Sequence, residues 1–251
     1  MLPLEIEERI LDLLAEGDYD HSALKTCSLV CQAFLPICRK HIFGSIMLNG
    51  YVMSSTTHSL ARLLYERPEI ADYIRKLHYN VQVADLTSPS IHEPLKRISR
   101  LESLTISNYK YPQLDWSNNP IRSALLHFLH LPTLTHFEVT NVNNFVASDL
   151  IPCANLKYLN IGTHTTGATE TAFPAALPTQ SIQLNEFVAA IGTADAVMKL
   201  CTARRPDGQP VIDFGSLSKI TVVLRNPNEG KTSQELFRRC RRLTDVQISC
   251  K

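Results

Sequence analysis

Along this chain an apolar residue is repeatedly followed, after two others, by a pair of apolar residues separated by one. Six such segments are Ile74-Leu77-Tyr79, Leu101-Leu104-Ile106, Leu134-Phe137-Val139, Leu156-Leu159-Ile161, Leu217-Ile220-Val222 and Leu243-Val246-Ile248. In a chain this rich in apolar residues about eight bare matches arise by chance, but only about one or two when the three intervening positions must be polar. Five of the six segments pass the stricter test, and Leu156 fails only through Tyr158. Each reads as a strand whose alternate residues face a core, preceded by an apolar residue that seats the incoming turn. Helices are predicted between them over residues 121–131, 187–203 and 233–243. Strands that alternate with helices form a sheet expected to be parallel, so the fold class is α/β.

The first residues of these segments lie 27, 33, 22, 61 and 26 positions apart. Regular leucine-rich repeats hold about 20–29, and the interval of 61 is long enough to hide a degenerate unit near Ile182 and Leu184. The asparagine or cysteine that such repeats carry three residues after the last apolar position is missing, since Asn108, Asn141 and Cys250 fall at two. Residues 74–251 therefore read as an irregular, incomplete leucine-rich repeat-like solenoid of alternating strands and helices around a parallel sheet. Its last strand reaches Lys251 without a capping element, as in a truncated or uncapped array. Residues 163–181, rich in Thr, Ala and Pro, read as a solvated excursion, with a phosphorylated or partner-binding segment as the alternative.

Among the 251 residues, Lys plus Arg number 25 and Asp plus Glu 24, so no overall field favours nucleic acid or an anionic membrane. With 44% hydrophobic and 20% charged residues the chain can bury a substantial core. Seven cysteines without framework-like spacing read as thiols of a reducing compartment. The opening Met1-Leu2-Pro3-Leu4-Glu5 lacks the basic and apolar regions of a secretory leader. No stretch approaches the roughly 18 consecutive apolar residues of a membrane span. An intracellular protein, cytoplasmic and/or nuclear, is expected.

The amino-terminal residues follow a different period. Pro3, with Glu5, Glu7 and Glu8 behind it, suits the first turn of a helix. In that helix Ile6, Ile10, Leu13 and Leu14 form one stripe, and Leu4 and Leu11 form another beside it. After a turn at Gly17, Asp20 can cap a second helix with Leu24, Cys27, Cys31 and Phe34 on one side and Val30 and Ile37 on its neighbour. Pro36 is expected to start a short third helix over 37–43, and residues 58–73 read as a helix interrupted at Pro68. Three short helices within about 45 residues offer little core, so something else must cover the second stripe.

Leu2-Pro3-Leu4-Glu5-Ile6, then Ile10-Leu11, Leu13-Leu14, Ser28-Leu29-Val30-Cys31, Phe34 and Phe43, in this order and spacing, resemble an F-box of the fungal type. The resemblance covers residues 2–48, near a fifth of the chain, and departs from the common pattern in having Phe34 where many F-boxes have tryptophan. It implies a three-helix F-box over 1–48, a helical linker over 49–73 and the repeat array over 74–251. It also implies the substrate-recognition subunit of an SCF-type cullin-RING ubiquitin ligase. The F-box would lie on a Skp-type adaptor, and through it on a cullin, using Leu2, Pro3, Ile6, Leu29, Val30 and Phe34 for contact or support. The array would hold an unknown protein substrate. All bond-making would occur on other subunits, so neither catalytic residue, cofactor nor metal is expected in this chain. The alternative is a leucine-rich interaction scaffold whose F-box-like helices serve only as an amino-terminal cap. An α/β enzyme is a third class, disfavoured because no acid/base, metal or phosphate constellation can be singled out.

Four sharper signals have plain competitors. Gly230-Lys231-Thr232 follows a strand and opens a helix, as a phosphate-cradling loop does, but Arg225 stands at the first glycine position and Pro227 removes a donor. Cys27, Cys31, Cys38 and His41 have the wrong spacing for a zinc knuckle and suit a small core. His127, His130 and His136 lack acidic companions and read as structural or exposed. Arg238, Arg239, Arg241 and Arg242 read as a solvated helix end, with recognition of an acidic or phosphorylated substrate, or nuclear import, as alternatives.

Overall fold

A computed structural model describes residues 4–17, 21–48, 56–109, 113–168 and 180–250. Its helices are α1 (Leu4–Gly17), α2 (Ser22–Cys27), α3 (Phe34–Gly44), α4 (Thr56–Glu66), α5 (Val83–Thr87), α6 (His92–Leu95), α7 (Arg122–Leu129), α8 (Ala194–Thr202) and α9 (Pro227–Arg239). Its strands are β1 (Ser45–Leu48), β2 (Lys76–Asn80), β3 (Ser103–Ser107), β4 (Leu114–Asp115), β5 (His136–Thr140), β6 (Val142–Asn143), β7 (Tyr158–Ile161), β8 (Glu186–Ala189), β9 (Lys219–Leu224) and β10 (Asp245–Cys250). Short 3-10 turns occur at Pro68–Tyr73, Pro89–Ile91, Ala147–Leu150 and Phe214–Ser216.

Strands β1, β2, β3, β5, β7, β8, β9 and β10 form one eight-stranded sheet in chain order, each parallel to its neighbours. The register stacks the apolar grammar of the sequence into ladders. Leu77, Leu104, Phe137, Leu159, Phe187, Ile220 and Val246 are successive partners, as are Tyr79, Ile106, Val139, Ile161, Ala189, Val222 and Ile248. In both ladders every residue up to β9 is buried. Val246 and Ile248 of the edge strand β10 are 48% and 53% exposed. One continuous core runs beneath the sheet, joined by the seating residues Ile74, Leu101, Leu134, Leu156, Leu184 and Leu217.

A repeated backbone bond locks one unit to the next. The carbonyl of Arg75 accepts the N–H groups of Glu102 and Ser103, and that of Glu102 accepts those of Thr135 and His136. The same fork recurs at the Thr135, Lys157, Asn185 and Ser218 carbonyls. Paired donors at each of these turns satisfy groups that burial would otherwise orphan, and the hydroxyls of Thr135, Ser218 and Thr244 add a bond to the Glu102, Asn185 and Ser218 carbonyls.

The interval of 61 is divided at Leu184 into 28 and 33, where Leu184, Phe187 and Ala189 repeat the apolar spacing. The helix expected over 187–203 is thereby corrected, since residues 186–189 are strand and α8 begins only after Gly192, whose φ of 75° breaks the chain direction. The last helix starts at Pro227 rather than 233, because Asn226 accepts from the N–H groups of Asn228 and Glu229 while Glu229 closes a capping box. Strand β1, which the apolar grammar did not single out, pairs with β2, so the sheet begins within the segment assigned to the three-helix module. Residues 58–73 divide into α4 and the 3-10 turn that Pro68 opens.

The amino-terminal helices surround a separate small core of Leu11, Leu24, Ile37 and Cys38, with Ala15, Cys27, Phe34 and Ile42 packed on it. The second helix expected to reach Phe34 stops at Cys27. There the Ser28 hydroxyl donates to the Lys25 carbonyl at 2.6 Å and the Thr26 hydroxyl to that of Ser22 at 3.0 Å, competing with the helical ladder. The third helix begins at Phe34 rather than Ile37, with Pro36 inside its first turn, where a missing N–H costs nothing. Phe43 and Ile46 link this module to the large core, and Arg39 reaches Glu69 at 3.7 Å. Among the described residues, no helix is long and apolar enough to cross a membrane.

Candidate functional site

Helix α1 presents three different faces. At about 100° per residue, Leu11 and Ala15 point to the small core, Glu5, Glu8, Arg9 and Asp12 line one flank, and Ile6, Ile10, Leu13 and Leu14 form a stripe about 100° wide, with Glu7 between it and Leu11. Leu11 is 1% exposed, whereas Ile6, Ile10, Leu13 and Leu14 are 46%, 45%, 52% and 37% exposed. Asp12 fixes the rotation of the helix by bonding His41 of α3, Oδ1 to Nε2 at 2.8 Å. With Leu11 inward and Asp12 tied, the stripe cannot turn into the core.

The second feature is the turn after α2. Once the hydroxyls of Thr26 and Ser28 end the helix, the N–H groups of Leu29 and Val30 close back on the Thr26 and Cys27 carbonyls at 3.1 and 3.0 Å. The turn leaves Leu29 86% and Val30 69% exposed. Phe34, the first residue of α3, is half-buried against the small core, where it supports the module. Ile6, Leu29 and Val30 thus lie on the surface, Phe34 lies beneath it, and Leu2 and Pro3 lie outside the described residues. Complete burial of an aliphatic side chain of this size is favourable by about 1.5–3 kcal/mol, so covering the partly exposed stripe and turn together would contribute on the order of 5–10 kcal/mol. That is comparable to the cost of bringing two proteins together, and makes this apolar surface a capable docking element.

The open face of the sheet carries the residues between the ladder positions. Lys76, Ser103, His136, Tyr158, Glu186, Lys219 and Asp245 form one row across seven strands. In its middle the rings of His136 and Tyr158 stack with centroids 5.5 Å apart, and Lys219 Nζ meets Glu186 Oε1 at 2.9 Å. Burial, and then the nearby Glu138 and Glu186 carboxylates, push the Tyr158 hydroxyl above its ordinary range. Glu186 holds Lys219 more firmly protonated through their hydrogen bond. Such a row offers hydrogen bonds, charges of both signs and a stacked aromatic pair. Its members are the polar positions of the repeated grammar, but their alignment depends on a register that spacing alone does not give.

The sharper sequence signals disperse in space. His41 is engaged by Asp12, while Cys38 is buried in the small core, where burial raises its thiol pKa with Cys27 and Cys31 adding to the effect. His127 and His130 each use Nε2 on a different backbone carbonyl, of Ile98 at 3.1 Å and of Asp149 at 3.0 Å, while His136 lies on the sheet. Among the described residues no group of three His, Cys, Asp or Glu side chains is placed to hold a metal. Gly230 falls inside α9, not in a loop before it. The donors around that helix start are occupied from within: Glu229 accepts the N–H groups of Arg225 and of Asn226 at 3.2 Å, and that of Gly192 from the turn before α8 at 2.6 Å. Burial alone would raise the carboxyl pKa of Glu229; these donations outweigh it and hold the group below its ordinary range. A side-chain anion already sits where a phosphate would have to bind.

No protein-family model matches the sequence, and no curated protein matches it.

Proposed function

We propose that this chain is the substrate-recognition subunit of an SCF-type ubiquitin ligase. In this reading residues 1–48 are an F-box docked on a Skp-type adaptor, and the following strand–helix units are an irregular leucine-rich repeat-like array that holds a protein substrate. The observation that carries the reading is the uncovered apolar surface of α1 and the Leu29-Val30 turn, on a module whose residues resemble an F-box in order and spacing. A helix laid against a foreign groove through such a stripe is a common mode of recognition. The chain's role is positional: it would bring substrate and ubiquitin-charged subunits together, with proximity supplying the acceleration.

A second reading also has an observation behind it. Helix α3 runs directly into β1, the first strand of the sheet, as in a terminal cap of a scaffold that binds proteins without any ligase. A cap, however, needs a polar outer face for solubility, and α1 turns an apolar stripe outward beside its charged flank. Co-expression with a Skp-type adaptor separates the two. Under the receptor reading the wild-type chain co-purifies with the adaptor and Leu29→Asp abolishes capture, since a central anchor contributes on the order of 2 kcal/mol or more. Failure of the folded wild-type chain to capture adaptor would leave the scaffold reading.

A further inference from the structure

The arginine-rich end of α9 does not simply face solvent. It forms one wall of a cavity of about 430 Å³ between the last two strand–helix units, and Arg204, from the connection after α8, stands on the other side. Arg204, Arg238, Arg239 and Arg241 all line the cavity, together with Asp213. Glu235, just outside, accepts from Arg239 at 2.7 and 3.1 Å and lies 3.6 Å from Arg238. Asp213 is already engaged by the Gly215 N–H at 2.9 Å. The side chains of Arg204 and Arg241 have no hydrogen-bond or ion-pair partner among the described residues. Four guanidinium groups therefore meet two carboxylates, a local excess of two positive charges in a chain whose formal net charge is only +1.

The connection that brings Arg204 there is built with some care. Its neighbour Arg205 is buried, with Nη1 donating to the Gln180 carbonyl at 2.7 Å and Nε to Asp207 at 3.3 Å. Arg204 forms a bridge with Pro210 across the tight turn at Gly208, whose φ is 81°. Anchoring Arg205 inward directs the adjacent residue outward. Like charges gathered on fixed elements repel unless an anion sits among them, and guanidinium groups bind phosphate oxygens through paired N–H donors.

We propose that this cavity is a binding site for a terminal phosphate group, with Arg204 and Arg241 as its unpaired donors and Arg238 and Arg239 supplying the surrounding field. It lies at the edge where helices return to strands, away from the α1 stripe, and does not depend on adaptor binding. The test is isothermal titration calorimetry of the purified full chain with three probes: a phosphoserine peptide, inorganic pyrophosphate and a glutamate peptide of equal charge. The site predicts saturable binding of at least one phosphate probe. It also predicts a loss of at least about tenfold in the Arg204→Ala/Arg241→Ala double variant, while the distant Arg62→Ala variant binds as wild type. Tighter binding of the peptide assigns the phosphate to a modified protein, and tighter binding of pyrophosphate assigns it to a small phosphorylated compound. Both altered side chains are exposed, so folding is checked by an unchanged circular dichroism spectrum, and the Arg204→Lys/Arg241→Lys pair should retain part of the affinity. No saturable phosphate binding, equal binding of the glutamate peptide, or wild-type affinity in the double alanine variant would each overturn the proposal.

Discussion

Leu11 and Leu13 stand two residues apart on α1, one 1% and the other 52% exposed. Replacing each in turn separates packing from exposure within one helix. Among the described residues Leu11 shares its core with three other buried apolar side chains, so Leu11→Ala leaves a cavity that little else can fill and should cost about 2–5 kcal/mol. The large core under the sheet does not include it, so the loss should be local. Amide exchange over residues 4–17 should accelerate by about 30-fold to several thousand-fold while β2 to β9 keep their protection. Leu13→Gln, which preserves helix propensity and adds no charge, should change stability by less than about 0.5 kcal/mol and exchange by no more than about twofold. Hydrogen exchange followed by mass spectrometry reads both. If Leu13→Gln loosens the helix as much as Leu11→Ala does, the stripe is packed against this chain and the docking surface does not exist.

Three further outcomes follow from particular contacts. A Cβ added at Gly162 would lie 1.9 Å from Thr140 Oγ1 and 2.8 Å from Thr140 Cβ, so Gly162→Ala should destabilise by about 1–3 kcal/mol in urea melts; an unchanged midpoint would mean the β5–β7 spacing yields freely. Glu229→Gln leaves one acceptor oxygen in place of two, so it loses either the Gly192 bond or those from Arg225 and Asn226, removes the charge from the rest, and should cost about 1.5–3 kcal/mol at neutral pH. Because the folded carboxyl titrates below the unfolded one, this contribution is present above the unfolded pKa and is lost as pH falls through the folded value, so the two proteins should converge in acid. Burial lowers the His130 pKa, against the hydrogen bond and charge of Asp149 that pull it upward. As pH drops below the unfolded histidine value the unfolded chain gains the proton first, so the melting temperature should fall between pH 7.5 and 5.5, less steeply in His130→Gln; identical slopes would remove His130 as the cause.

The parallel sheet was legible because each inward position of β2, β3, β5, β7 and β9 must be apolar and each outward one need not be. The unit at Leu184 is less legible because Ala189 is too small to mark a strand, which lets residues 187–203 read as one continuous helix. What overrode that pattern was tertiary pairing of Phe187 with Leu159 and Ile220, together with the turn at Gly192. Strand β1 has the apolar spacing in Phe43, Ile46 and Leu48, but Met47 stands where the stricter pattern needs a polar residue, and its seating residue Phe43 lies at the end of α3. On α1 the two stripes were visible in sequence, but which one faces the core rests on Leu11 meeting Leu24 and Cys38, and on Asp12 meeting His41. The arginine cavity was half visible: the run at 238–242 stands out, while Arg204 lies 34 residues earlier and joins it only when two units stack.

The proposed receptor role requires the apolar stripe of α1 and the Leu29-Val30 turn to be bare in the chain alone and covered when the adaptor binds. Hydrogen exchange of the chain with and without a stoichiometric Skp-type adaptor tests it most directly. Protection should rise over residues 4–17 and 28–30, with the sheet unchanged. A complex that protects only the sheet, or no complex at all, would contradict the assignment.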